Sequence, residues 1–192
     1  NFLDGRDKLK KVFAVLEKIK AFVGFRIKKV GDYIFMLGDP HDDISSSEYL
    51  VNYLNIKSSS VPFFDIKKEV QLHSVLNRLI QEKRINSAHD ISEGGLYISL
   101  VESSLHRNLG FDIFTDNDFR QDAYLFGEAQ SRAIVTVSSE NRISLERFLT
   151  KKINFICLGQ VTEGKVIIDD VDFGSIVSIK EDYMTAIGKH LE

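Results

Sequence analysis

Cysteine occurs once in these 192 residues, proline twice, and no stretch is of low complexity. A single thiol, Cys157, excludes an intramolecular disulfide and any paired-cysteine metal motif. It lies among Phe155, Ile156 and Leu158, the setting of a buried strand residue that behaves as a small hydrophobe. Positive charge is also short: 25 Lys and Arg face 28 Asp and Glu, a formal net charge of -3, so no global field draws in nucleic acid. No apolar run approaches the roughly 18 residues of a membrane span. The mostly polar first residues do not make a signal peptide. H-E-x-x-H, G-x-S-x-G, the P-loop and G-x-G-x-x-G are all missing, which removes the commonest zinc, nucleophile-elbow and dinucleotide sites. The chain begins with Asn1 rather than Met, which suggests a fragment or an engineered chain.

What is present suits one layered domain. Hydrophobic residues make up 43% and charged residues 28%, enough to build a core without staples. Residues 8–23 place Leu9, Val12, Phe13, Leu16, Ile19 and Phe22 close to helical spacing, opposite a lysine-rich solvated face, with Gly24 as a stop. Residues 32–38 form a continuous apolar run, expected as a buried strand, followed by the turn-rich Asp39-Pro40-His41-Asp42-Asp43. A short helix is expected at about 47–54. Leu72, Val75, Leu76, Leu79 and Ile80 mark a helix over 67–83, with Asp65 as its cap and His73 on its flank. A strand from Ile85, a Gly-containing turn and a helix over 94–107 come next. Residues 109–115 and 132–138 read as strands, and 140–150 as a helix. Strands at 153–161 and 165–168 flank Thr162-Glu163-Gly164, which suits a hairpin, and a last helix spans about 180–190. Interspersed strands and helices without a linker or repeat predict a single α/β domain, a mixed β-sheet flanked by helices, over 25–190 after a leader of residues 1–24.

Chemistry has two principal places to sit. In His89-Asp90-Ile91-Ser92-Glu93-Gly94-Gly95-Leu96 a strand feeds a Gly-Gly turn into a helix. Free backbone N–H groups at the positive end of that helix, with no Cβ in the way, suit a phosphate. The same residues equally make a tight turn capped by Ser92, with His89 and Asp90 at the strand end. In Phe126-Gly127-Glu128-Ala129-Gln130-Ser131-Arg132 a carboxylate, an amide, a hydroxyl and a guanidinium precede a strand. They suit either a phosphate-bearing ligand, with Arg132 the strongest donor, or a buried network that fixes the strand's start. Ser45-Ser46-Ser47-Glu48 offers hydroxyls that cap a helix or meet a ligand. Asp39, Asp42 and Asp43 either hold Mg²⁺ or form an ordinary acidic turn.

Several segments together resemble one family. Ser87-Ala88-His89-Asp90-Ile91-Ser92-Glu93-Gly94-Gly95-Leu96 is similar to the SAHDxSDGGL signature of phosphoribosylformylglycinamidine synthases, with Glu93 for Asp. Residues 126–132 resemble the family's F-x-E-x-Q-x-R segment, residues 31–38 its GDxIxLLG strand, Ser47-Glu48-Tyr49-Leu50 the end of LGGSEYL, and residues 158–162 its IGxVT strand. The order and spacing match from about residue 25 to 185. Ser45-Ser46 stand where the family has a glycine pair.

The resemblance implies the C-terminal domain of an enzyme that converts formylglycinamide ribonucleotide, ATP and glutamine-derived ammonia to formylglycinamidine ribonucleotide. Its fold would be that of the aminoimidazole ribonucleotide synthetase C-terminal domain. ATP and Mg²⁺ would belong to the intact cytoplasmic enzyme and neither would bind this piece tightly. Its partners would be the remaining synthase domains, a glutaminase domain or subunit, and the phosphorylated ribonucleotide, with no nucleic acid and no membrane. In that family the catalytic histidine and the main Mg²⁺ ligands lie in other domains, so no catalytic or metal residue carries over. The ligand or phosphate-binding candidates are His89, Asp90, Ser92, Gly94, Gly95, Glu128, Gln130 and Arg132. The alternatives are a non-catalytic scaffold or nucleotide-binding module, and a relative of selenophosphate synthetase. The last would need a reactive N-terminal segment that the sequence does not show.

Overall fold

Alternation within single strands dictates a sheet covered on both sides. The structure, a computed structural model, describes residues 21–62 and 64–189. In β1 (Tyr33–Leu37), Phe35 and Leu37 point into one apolar cluster while Ile34 and Met36 point into another. In β4 (Ala133–Val137), Ala133, Val135 and Val137 join the first cluster and Ile134 the second. Strands buried on both faces read as unbroken apolar runs, which is why 32–38 looked continuous in sequence.

The remaining strands are β2 (Ser87–Asp90), β3 (Gly110–Ile113), β5 (Phe155–Thr162), β6 (Lys165–Ile168) and β7 (Val171–Ser175). Their order across the seven-stranded sheet is β2-β4-β1-β5-β3-β6-β7. Every pairing is antiparallel except β3 with β6, so the sheet is mixed as expected.

Helices α1 (Ile66–Gln81) and α4 (Arg142–Leu149) cover the face of Phe35 and Leu37 with Leu72, Val75, Leu79, Leu145, Phe148 and Leu149. Asp65 caps α1 as its sequence position predicts, its carboxylate accepting from Lys67 N at 2.8 Å. The opposite face carries α2 (Gly95–Leu105), α3 (Gln121–Phe126) and α5 (Ile176–Lys189). Helix α2 is buried beyond its Leu96–Leu100 face: Ser99, Ser103 and Ser104 are buried too. Each satisfies its hydroxyl on the carbonyl four residues back. Cys157 is half-buried on β5, where burial pushes its thiol pKa up.

Three expectations need correction. The Thr162-Glu163-Gly164 turn does not close a hairpin, because β3 lies between β5 and β6 and pairs with both. Glycine permits this: a Cβ on Gly110 would stand 2.0 Å from the Lys165 carbonyl oxygen, so only a bare backbone lets the turn wrap the start of β3. Strand β7 was not foreseen. All five of its residues are exposed, and its apolar alternation extends only over Val171-Asp172-Phe173. It pairs with β6 through Asp169 and Asp170, both left-handed at φ 50° and 64°, as a two-residue hairpin requires. The short helix near residue 50 is a single π-turn, Tyr49–Tyr53. Most of the expected helix over 8–23 lies outside the described residues, and residues 21–23 are not helical. Among the described residues no helix is long and apolar enough to cross a membrane.

Candidate functional site

Register brings the candidate loops to one end of the sheet. Asp90 of β2 and Leu37 of β1 both pair with Ala133 of β4, and Leu37 also pairs with Phe155 of β5. The chain therefore leaves β2 and β1, and enters β4 and β5, along a single rim. That rim gathers the loops at 91–94, 38–48, 127–132 and 150–154.

Glu128 is the hub of this rim. Its Oε1 accepts hydrogen bonds from Gly94 N at 2.8 Å and Glu48 N at 2.9 Å. One carboxylate thus caps the N-terminus of α2 and fastens the loop that precedes the π-turn. A charge-assisted acceptor at a helix N-terminus is what the peptide dipoles favour. Of the N–H groups that the sequence offered to a phosphate, Gly94 N donates to Glu128 and Gly95 N to the Ser92 carbonyl.

Both glycines of the turn are left-handed, φ 77° at Gly94 and 69° at Gly95. A Cβ on Gly95 would lie 2.7 Å from the Leu125 carbonyl oxygen and 2.8 Å from that of Gly127. The end of α3 is what demands glycine there. Ser92 is exposed, and its carbonyl rather than its hydroxyl serves the turn, accepting from Gly95 N at 3.0 Å.

Arg132 is buried and faces inward. It donates from Nε to Ala129 O at 3.0 Å and from Nη2 to Gly127 O at 2.7 Å, stapling the loop that carries Glu128. Burial pulls its pKa down to about 10, against the opposing pull of Tyr124 and Asp43. Gln130 is exposed on the same loop. Ser131, left-handed at φ 64°, donates to Glu69 on α1 at 2.6 Å.

His89 occupies a different neighbourhood. Its ring nitrogens meet Asp90 Oδ1 at 3.2 Å and Glu102 Oε2 at 3.1 Å, and its ring stands edge-on to Phe25. Tyr183 of α5 donates to the other oxygen of Glu102 at 2.6 Å. Phe25, His89, Asp90, Glu102, Tyr183 and Met184 help to line a cleft of about 640 Å³. Glu102 and Tyr183 were not singled out in sequence. Glu102 is the one charged residue of α2, and only the packing of α5 on α2 reveals its role.

The serine run is structural. Ser47 is buried, donating to Ile44 O at 2.6 Å and accepting from Leu50 N at 3.2 Å, the capping role. Ser46 is left-handed at φ 55°, which explains why a glycine suits that position. Ser46 N donates to Ser59 Oγ at 2.7 Å, and the Ser45 and Ser60 hydroxyls meet at 3.0 Å, clasping the loop between them. Asp39 is engaged by Lys68 and Asn154, each at 2.5 Å, which hold its carboxyl below the usual range. Among the described residues no three carboxylate, imidazole or thiol groups converge as a metal cage would need.

The profile of the family described as AIR synthase related protein, C-terminal domain, matches residues 29–171. The chain is 35% identical over 171 residues to the phosphoribosylformylglycinamidine synthase subunit PurL of Caldanaerobacter subterraneus subsp. tengcongensis, covering 86% of this chain and 22% of that protein. It is 33% identical over 178 residues to the subunit of the same name from Leuconostoc mesenteroides, covering 90% of this chain and 23% of that one. The chain thus spans less than a quarter of these relatives. Thermotoga maritima PurL complexed with FGAR superposes with a TM-score of 0.70 at 18% identity, over 83% of this chain and 29% of that one. A thiamine-monophosphate kinase from Stenotrophomonas maltophilia does so at 0.52 and 16%, over 77% and 53%. At such identities the superpositions speak for the fold, which serves more than one chemistry.

Proposed function

Because this chain belongs to the AIR synthase related protein, C-terminal domain family, we propose that it works as one domain of a phosphoribosylformylglycinamidine synthase. The observation that carries this is the identity of 35% to a PurL subunit across 86% of the chain. In this reading the intact enzyme uses ATP and ammonia to convert formylglycinamide ribonucleotide to formylglycinamidine ribonucleotide. This domain builds one wall of the assembly rather than the reacting centre, and the other synthase domains and a glutaminase are its partners.

In this reading the eight candidates take distinct parts in that wall. Glu128 and Arg132 shape the rim from inside, Gly94 and Gly95 let α2 start beneath it, and His89 ties β2 to α2. Asp90, Ser92 and Gln130 are exposed at the same end of the sheet and would be the ones to meet a ligand. In this reading ATP and Mg²⁺ are held mainly by the other domains, and the Gly94 amide at the start of α2 serves Glu128. Large apolar side chains left bare between residues 51 and 70, such as Tyr53, Val61, Phe64 and Val70, suit a surface that a neighbouring domain covers.

The test is ADP release by the isolated chain supplied with formylglycinamide ribonucleotide, ammonia, ATP and Mg²⁺. The expected result is none above background. Turnover comparable with that of an intact synthase would contradict the reading.

A further inference from the structure

A basic cleft opens on the α1 side of the rim. Gly38, Asp39, Lys68, Gln71, Lys151 and Lys152 help to line its volume of about 320 Å³, and none of the eight candidate residues does. Register explains the meeting: Leu37 at the end of β1 pairs with Phe155 at the start of β5, so the loop after one strand lies beside the loop before the other. Gly38 N donates to Asn154 O at 2.8 Å, which joins the two loops. Gln71 of α1 donates to the Lys152 carbonyl and closes the third side. Gly38 is left-handed at φ 97°, and a Cβ there would stand 3.3 Å from the Arg132 Cα, so the cleft's floor rests on the backbone of residues 131–132.

Three ammonium groups line this cleft against one carboxylate. Asp39 is already engaged by Lys68 and Asn154. Lys152 donates to Phe148 O at 2.7 Å and stands 4.4 Å over the Phe148 ring, both neutral, so its charge is not cancelled. Lys151 is exposed, and among the described residues its ammonium has no partner. Glu69 does not line the cleft; Ser131 and His73 hold it. His41, also on the lining, has its pKa pushed down by burial and by the charges of Arg132 and Lys68, against the pull of Asp39 and Asp43. Positive potential therefore collects where the three loops meet.

We propose that this cleft binds the phosphate group of a small molecule, with the Lys68, Lys151 and Lys152 ammonium groups as its donors. Lysine acts on phosphate as a point charge, and three cations against one carboxylate leave the balance that a phosphate dianion takes. The volume is many times what one water needs, so a phosphate fits with part of whatever carries it. The proposal rests on this cleft alone and stands apart from the proposed enzyme.

Isothermal titration calorimetry on the full 192-residue chain, at constant ionic strength, tests it. Inorganic phosphate should bind saturably at one site, and the amide NMR signals of residues 38–39 and 151–154 should move with the same affinity. Acetate should not saturate. Lys151→Glu should weaken phosphate binding at least about tenfold, because it reverses a charge beside a dianion. That side chain is exposed, so the variant keeps the fold. Lys165→Glu, on β6 outside the cleft, should bind as the parent does. Ribose 5-phosphate separates the two sources of the group: tighter binding than inorganic phosphate identifies an ester as the ligand, and equal binding the free ion. No saturable phosphate binding, acetate binding as tight as phosphate, full affinity in Lys151→Glu, or an equal loss in both variants would each overturn the proposal.

Discussion

Replacing Glu128 by alanine removes the one carboxylate that joins Gly94 to Glu48. Two backbone N–H groups lose a charged acceptor, and a hydrogen bond to a charged group contributes roughly 1.5–3 kcal/mol. Glu128→Ala should therefore cost about 2 kcal/mol or more in denaturant unfolding, and Glu128→Gln, which keeps an acceptor oxygen, distinctly less. Equal losses in the two variants would mean that packing, not capping, is what Glu128 provides. Gly95 and Ser92 form a second pair. Gly95→Ala drives a Cβ against two carbonyl oxygens at a left-handed φ and should cost several kcal/mol. Ser92→Ala should stay within about 0.5 kcal/mol, because the hydroxyl caps nothing. A loss of about 1 kcal/mol there would restore the capping role that the sequence suggested. Residue types were legible at this scale and residue partners were not. Glu128 and Gly94 stood out separately, but nothing in their order says that a carboxylate 34 positions downstream reaches that amide.

Between elements, Asp39 ties the end of β1 to α1 through Lys68 and to the start of β5 through Asn154. The Lys68 hydrogen bond is the largest of the causes that lower its pKa from the ordinary 3.8. A depressed folded pKa contributes stability that is present above the unfolded value and is lost as pH falls through the folded one. Stability should thus drop below about pH 4, and Asp39→Asn should flatten that limb of the profile while leaving the slope above pH 5 unchanged. An identical acid limb in the variant would remove Asp39 from the account. Elements were legible where burial is one-sided or total. Helix α1 announced itself through Leu72, Val75 and Leu79, and β1 through its unbroken apolar run. Strand β7 has no buried residue to announce it, and the insertion of β3 between β5 and β6 is a long-range choice that local turn signals cannot express.

At the scale of the whole molecule, both sheet faces are closed by helices and the candidate residues split into two neighbourhoods. One is the rim organised by Glu128 and Arg132; the other is the His89-Glu102-Tyr183 cleft beside α5. The rim is held by bonds within the domain, and Asp90, Ser92 and Gln130 are exposed on it. The family was legible from five short segments in order; four of them carry a rim loop or a strand that ends at the rim, and the fifth, residues 158–162, lies farther along β5. The direct test takes the Caldanaerobacter subterraneus relative with its matching segment deleted and supplies this chain in its place, fused at the same position. Formylglycinamidine ribonucleotide formation should return with the chain, and fall when Glu128→Ala is introduced. A fusion that folds and stays inactive would contradict the central claim that this domain belongs to a working synthase.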